Sequence, residues 1–153
     1  VVVDIEALID NDLECETTIR EIEKEQKQYS SILKSRELQL EKLLQNINDS
    51  KILLKSNEID KLINEYNNEY NLFALEVERF NSHYKEQIIL IRKKILEEII
   101  VLVENYANRN NIEIVLDSNN YIIASNELNI TDIIQKNLNE INFIFEINDF
   151  ETD

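Results

Sequence analysis

The hydrophobic pattern of the chain changes period twice. From Leu13 onward apolar positions recur three and four residues apart, and Ile19, Ile22, Gln26, Tyr29, Leu33, Arg36, Leu40, Leu43 and Ile47 make a heptad seam interrupted by Gln26 and Arg36. A second seam is cleaner. Tyr66, Tyr70, Phe73, Val77, Phe80 and Tyr84 keep strict spacing, and Ile88, Ile91, Ile95, Ile99, Leu102 and Tyr106 continue it. These seams predict two long helices. Outside them the period drops to two. Val1–Ile5 reads as a short strand, followed by a turn or short helix over Glu6–Asn11. Ile112, Ile114 and Leu116 alternate with Glu113 and Val115, and Tyr121–Ala124 is a second β-rich run; the turn chemistry of Asp117-Ser118-Asn119-Asn120 between them predicts a β-hairpin. A short amphipathic helix follows, carrying Ile133, Ile134 and Leu138, with Thr131 or Asn129 as its N-cap. The tail INFIFEI at 141–147 alternates as well, and reads either as another strand or as the apolar end of the last helix.

Between the seams lies Lys55-Ser56-Asn57-Glu58. Ser56 or Asn57 is suited to cap a new helix, with Glu58 and Asp60 in the first turn, where the helix dipole favours acids. The reversal is predicted at 55–58, with Asn46–Ser50 as the second choice, because two arms that leave and re-enter one body should be of similar length. Each arm then has about 45 residues and spans roughly 65 to 70 Å. The return helix is expected to end around Asn108–Asn111, where asparagine replaces glycine in the left-handed conformation. The predicted fold is α+β: a long antiparallel helical hairpin over 13–107 projecting from a small β body of 1–12 and 108–153. A hairpin with one short helix cannot bury its apolar face alone. It needs partners from elsewhere in the chain or from other chains.

Composition agrees with long helices. The chain has no glycine and no proline, so reversals fall to Asn, Asp and Ser and must be few. It has no methionine either, and is expected to begin after a processed or trimmed leader. No apolar run approaches the roughly 20 residues of a membrane span. The single cysteine, Cys15, excludes an internal disulfide and a cysteine-based zinc site, and reads as a small core or surface residue. His83 lies beside the second seam with only Glu86 and Gln87 at helical ligand spacing, and reads as a boundary histidine rather than a metal ligand. Glu97-Glu98 and Asp10-Asn11-Asp12 read as solvated charge, since neighbouring helix positions diverge by about 100°. An EF-hand at Asp10–Glu16 would need a glycine. No catalytic constellation and no cofactor motif is found.

Net charge is −15, and its distribution is uneven. Residues 1–16 and 111–153 together hold fifteen acids and one base, whereas the helical segments between them are nearly neutral. That argues against nucleic acid or anionic lipid held by simple electrostatics, because both need a basic face. It also suggests that the two ends lie together as one acidic body.

The order of strand, long helical hairpin, β-hairpin and short helix resembles the Skp/OmpH family of periplasmic chaperones. The residues that carry the likeness are KILEEIIVLVENYA at 94–107, IEIVLD at 112–117 and LNITDIIQKNL at 128–138, with VVVDIEALI at the start. The arms are similar only in length and periodicity. The resemblance implies a jellyfish-shaped homotrimer whose β body is built by strands from three subunits, with arms enclosing a cavity. The expected body core is Val3, Ile5, Ile112, Ile114, Leu116, Ile123 and Ile133. The expected arm seam is Tyr66, Tyr70, Phe73, Val77, Phe80 and Tyr84, and the aromatic stripe reads as the hairpin's own seam rather than as a client surface. The implied activity is non-enzymatic and cofactor-free: an ATP-independent holdase for unfolded outer-membrane proteins in the periplasm. The alternative is a trimeric structural or adaptor protein of an envelope assembly. The chain departs from the family in its near-neutral arms, which weakens the case for lipopolysaccharide or membrane contact, in Asn110 or Asn111 where the family has glycine, and in its longer tail.

Overall fold

The structure, a computed structural model, describes residues 1–151. In order it contains β1 (Val2–Val3), α1 (Ile5–Asp10), α2 (Leu13–Ser50), α3 (Ser56–Arg109), β2 (Leu116–Asp117) and α4 (Thr131–Leu138), with 3-10 turns at Ser118–Asn120 and Asn126–Leu128. Among the described residues no helix is long and apolar enough to cross a membrane. The fold is mostly helical with long helices and one small two-stranded sheet, the expected class.

Local chemistry sets the element ends. The predicted opening strand stops early, at Val3, because Asp4 turns the chain into α1: its carboxylate accepts a hydrogen bond from the Ala7 N–H at 2.9 Å. Asp12 does the same for α2, accepting from the Cys15 N–H at 2.7 Å. It is buried there, which corrects its reading as solvated charge. The helix break occupies residues 51–55, just ahead of the predicted 55–58, and the N–H groups of Leu53 and Leu54 close back on the Ser50 carbonyl. At the start of α3 neither Ser56 nor Asn57 is the cap. The Lys55 N–H donates to the Glu58 carboxylate at 3.0 Å, half of a capping box. The two long helices are unequal, 38 and 54 residues. The end of α3 is as expected: Asn111 has φ 52°, and the Ile112 N–H reaches the Ala107 carbonyl at 2.9 Å in a Schellman closure.

The residues fall into two compact units, Val1–Ile22 with Glu86–Asn148, and Glu23–Lys85 with the described residues from Asp149 onward. In the first unit β1 pairs with β2 in parallel, Val2 opposite Leu116 and Val3 opposite Asp117. The other side of β1 is bonded too, with the Ile130 N–H donating to the Val2 carbonyl at 2.9 Å. The predicted β-hairpin does not form. The type I′ and II′ turns favoured in two-residue hairpins require positive φ at one or both central positions, and among the described residues only Asn111 has it. Asp117 instead caps a 3-10 turn, and Tyr121–Ala124 stays outside any ladder. The core of this unit comprises Val2, Val3, Leu8, Ile9, Cys15, Ile22, Ile91, Ile95, Ile99, Ile130, Ile134 and Leu138. In the second unit the buried apolar residues are Leu33, Leu40, Ile47, Ile59, Phe80 and Tyr84, all from α2 and α3.

Candidate functional site

The first unit leaves much of its apolar chemistry in solvent. Of the expected body core, Val3 is buried, Ile5 and Ile112 are half-buried, and Ile114, Leu116, Ile123 and Ile133 are exposed, Ile114 at 65% and Ile123 at 89%. Within a single chain these residues therefore do not close a core of their own. Parallel pairing with β1, in place of a hairpin, leaves Tyr121–Ala124 without a strand to cover it. Ile122 is fully exposed beside Ile123, and Leu128 is exposed as well. Exposed large apolar side chains concentrated over one stretch mark an interaction surface more often than a monomer's free face.

Polar anchors hold that stretch in place. The Val1 nitrogen donates to the Ile114 carbonyl at 3.0 Å, the Ile5 N–H to Asp117 Oδ1 at 3.2 Å, and the Asp4 N–H to Thr131 Oγ1 at 2.9 Å. Thr131 therefore serves the opening strand rather than capping its own helix; Asn129 Oδ1 accepts from the Thr131 N–H at 2.9 Å. Burial pushes the Asp117 carboxyl up, but hydrogen bonds from the Ile5 amide, the Asn119 side chain and amide and the Ser118 amide outweigh it and hold its pKa below the usual value. Arg92 on α3 donates to Asp10 at 2.9 Å and to Glu6, fixing α1. Cys15 is buried and free; burial and then the Asp12 charge push its thiol up, away from nucleophilic use.

The second unit is stitched by aromatics over part of its length. Tyr29 stacks on Phe80 with centroids 5.2 Å apart, and Phe80 meets Tyr84 edge-on at 5.1 Å. His83 lies edge-on to Tyr84 at 5.0 Å and near Phe150 at 5.6 Å. Glu76 accepts from both the Tyr29 hydroxyl and Arg36. Burial, then the Glu76 hydrogen bond and charge, push Tyr29 up to about 12. Of the expected seam, Phe80 and Tyr84 are buried, Tyr66, Phe73 and Val77 half-buried, and Tyr70 is exposed, stacked only on Tyr66 at 6.1 Å. An open cleft of about 450 Å³ lies among Arg36, Leu40, Leu43, Glu69, Leu72 and Phe73. Ile52, Leu53, Leu72 and Leu75 are exposed.

Chemically, both units offer apolar surface and solvated charge; among the described residues no group of acids, histidine and cysteine gathers to hold a metal ion. The profile of the family described as outer membrane protein (OmpH-like) matches residues 1–138. The chain belongs to the OmpH-like family. A solved structure of a candidate outer membrane chaperone (OmpH-like) from Caulobacter crescentus CB15 shares the fold, with a TM-score of 0.74 over 95% of this chain and 88% of that one at 11% identity. At that identity the likeness is one of fold. No curated protein sequence matches the chain.

The family match ends at Leu138, and the tail beyond it takes neither of the two forms expected. From Ile141 to Ile147 it forms no helix and pairs with no strand. Its alternation is visible in the sequence, but the side chains that hold it are not. Arg92 and Glu76 escape sequence reasoning for a similar reason: their partners lie far away in the chain and leave no periodic signal.

Proposed function

We propose that this OmpH-like protein is an ATP-independent periplasmic holdase, a homotrimer that binds unfolded outer-membrane proteins between its helical arms. Its family and fold support a chaperone-type function. The observation that carries the finer reading is the exposed set Ile114, Leu116, Ile122, Ile123 and Ile133 beside a two-stranded sheet. So small a sheet is not stable by itself, and three copies joined through these residues would complete a core. Arms with a soft aromatic seam and exposed Ile52, Leu53, Leu72 and Leu75 would then hold a client by many weak contacts. Such contacts keep an unfolded chain soluble without fixing one geometry.

The holdase is tested by diluting a urea-unfolded outer-membrane barrel into buffer with stoichiometric trimer. Suppressed light scattering is expected; aggregation at the rate of the barrel alone would sink the reading. Retention in one defined envelope complex after extraction would favour the adaptor alternative. The trimer is tested by sedimentation equilibrium of Ile114→Asp. Because Ile114 is 65% exposed in the chain, the variant should keep its helices and lose its trimer; an unchanged trimer would refute the assignment.

A further inference from the structure

The segment Ile141–Asn148 pairs with no strand, yet its backbone is held by side chains of the first unit. The Glu14 carboxylate accepts from the Phe143 N–H, Lys94 Nζ donates to the Ile144 carbonyl at 2.6 Å, and Gln87 Oε1 accepts from the Asn148 N–H at 3.3 Å. Its side chains alternate. Ile141, Phe143, Phe145 and Ile147 are half-buried, and Asn142, Ile144, Glu146 and Asn148 are exposed. Phe143 and Phe145 stack at 5.6 Å, and the Lys94 ammonium stands 5.7 Å from the Phe145 ring centroid. Between Ile144–Glu146 and the α3 residues Gln87, Leu90, Ile91 and Lys94 there remains an open cleft of about 550 Å³. Peptide groups gripped by side chains, with every second residue laid on an apolar surface, is how an extended polypeptide is recognised with little regard to its sequence.

We propose that this face of α3, together with Glu14 of α2, is a binding site for extended polypeptide segments bearing apolar side chains at alternate positions, and that the chain's own tail is its resident occupant. The three polar contacts read backbone atoms, which any segment supplies. The occupant fits loosely: none of its side chains is fully buried, the cleft beneath it is open, and Leu90 beside it is exposed. Being tethered, the tail competes at an effective concentration in the millimolar range. A short free peptide therefore competes poorly, whereas a long unfolded chain held at several points displaces the tail. The inference rests on the holdase reading only for the source of that outside chain, and a peptide assay separates the two.

The probe is a fluorescein-labelled synthetic peptide of residues 141–150, with binding read by anisotropy. The full chain carrying Phe143→Asp and Phe145→Asp, which frees the tail, should bind the probe at least ten-fold tighter than the unaltered chain. Adding Gln87→Ala and Lys94→Ala should return binding to the unaltered level, and a peptide of the same composition with its apolar residues bunched together should bind at least ten-fold more weakly. A milder pair, Phe143→Ser and Phe145→Ser, replaces the first if circular dichroism shows that the aspartates unfold the helices. Equal affinity in the folded variant and the unaltered chain overturns the proposal. Loss of helix in both pairs also overturns it, because the tail would then be a structural strut.

Discussion

The two units are built from the same helices and hold together by different means. The first draws on both ends of the chain and concentrates its stability in fully buried aliphatic residues, Leu8, Ile95, Ile99, Ile134 and Leu138 among them. The second relies on one helix pair, with its buried positions spaced far apart, aromatic rings between some of them and an open cleft beside Leu40. Tyrosine and phenylalanine can meet edge-on or stacked at similar energies, so their seam tolerates displacement that a close-packed aliphatic core does not. One sequence can thus carry a rigid part and a compliant part without a glycine or proline hinge.

The largest difference between the units should appear when the same volume is cut from each. Ile134→Ala should cost about 4 kcal/mol in urea unfolding, near the upper end for a buried aliphatic residue, and Leu40→Ala about 2 kcal/mol, because the site beside the cleft can relax. Equal costs would mean that the second unit is as tightly packed as the first. A smaller effect, on the order of 1 to 1.5 kcal/mol at neutral pH, is expected for Asp117→Asn, which weakens the carboxylate's hydrogen bonds to the Ile5 amide and the 3-10 turn. The folded pKa of Asp117 lies below its ordinary value of 3.8, so the advantage of the unaltered chain is present above that value and shrinks as pH falls through the lowered one. Melts at a series of pH values check this. The smallest effect, about 1 kcal/mol, is expected for Tyr29→Phe. Tyr29 titrates near 10.0 unfolded and about 12 folded, so its contribution is complete below the first value and lost as pH rises toward the second. A difference between unaltered chain and variant that does not narrow over that range would contradict both the burial of the Tyr29 hydroxyl and its bond to Glu76.

How much of this was legible in the sequence depended on distance along the chain. The start of α2 at Leu13, Glu58 in the first turn of α3 and Asn111 closing it are set by local devices, and each stands within a residue or two of its expected place. The parallel pairing of Val2 with Leu116 was not legible, because nothing in either short run specifies a partner more than a hundred residues away. Tyr121–Ala124 shows the converse failure. Its β-rich composition was read correctly, but a strand needs a ladder, and the residues before it close a 3-10 turn capped by Asp117 instead of reversing the chain onto β2. In the tail, alternation left a strand and a helix end both open and could not say that helix side chains would hold an unpaired backbone. For the exposed apolar stretch, sequence named most of the residues as apolar body positions, but which of them a single chain leaves in solvent depends on the parallel pairing of β1 with β2, which it did not show.

The pairing of β1 on both of its sides also orders events in time. Helix contacts along α2 and α3 are local and form fast, whereas β1 must wait for residues 116 and 130 before either of its edges is closed. During synthesis from the amino end, Val1–Val3 therefore appears well before the residues that satisfy it. An interrupted chain would display helices together with an unpaired apolar strand, the kind of edge that recruits other strands. The carboxyl-terminal third thus acts as a completion signal: only a chain that has reached Thr131 can put its own β1 away.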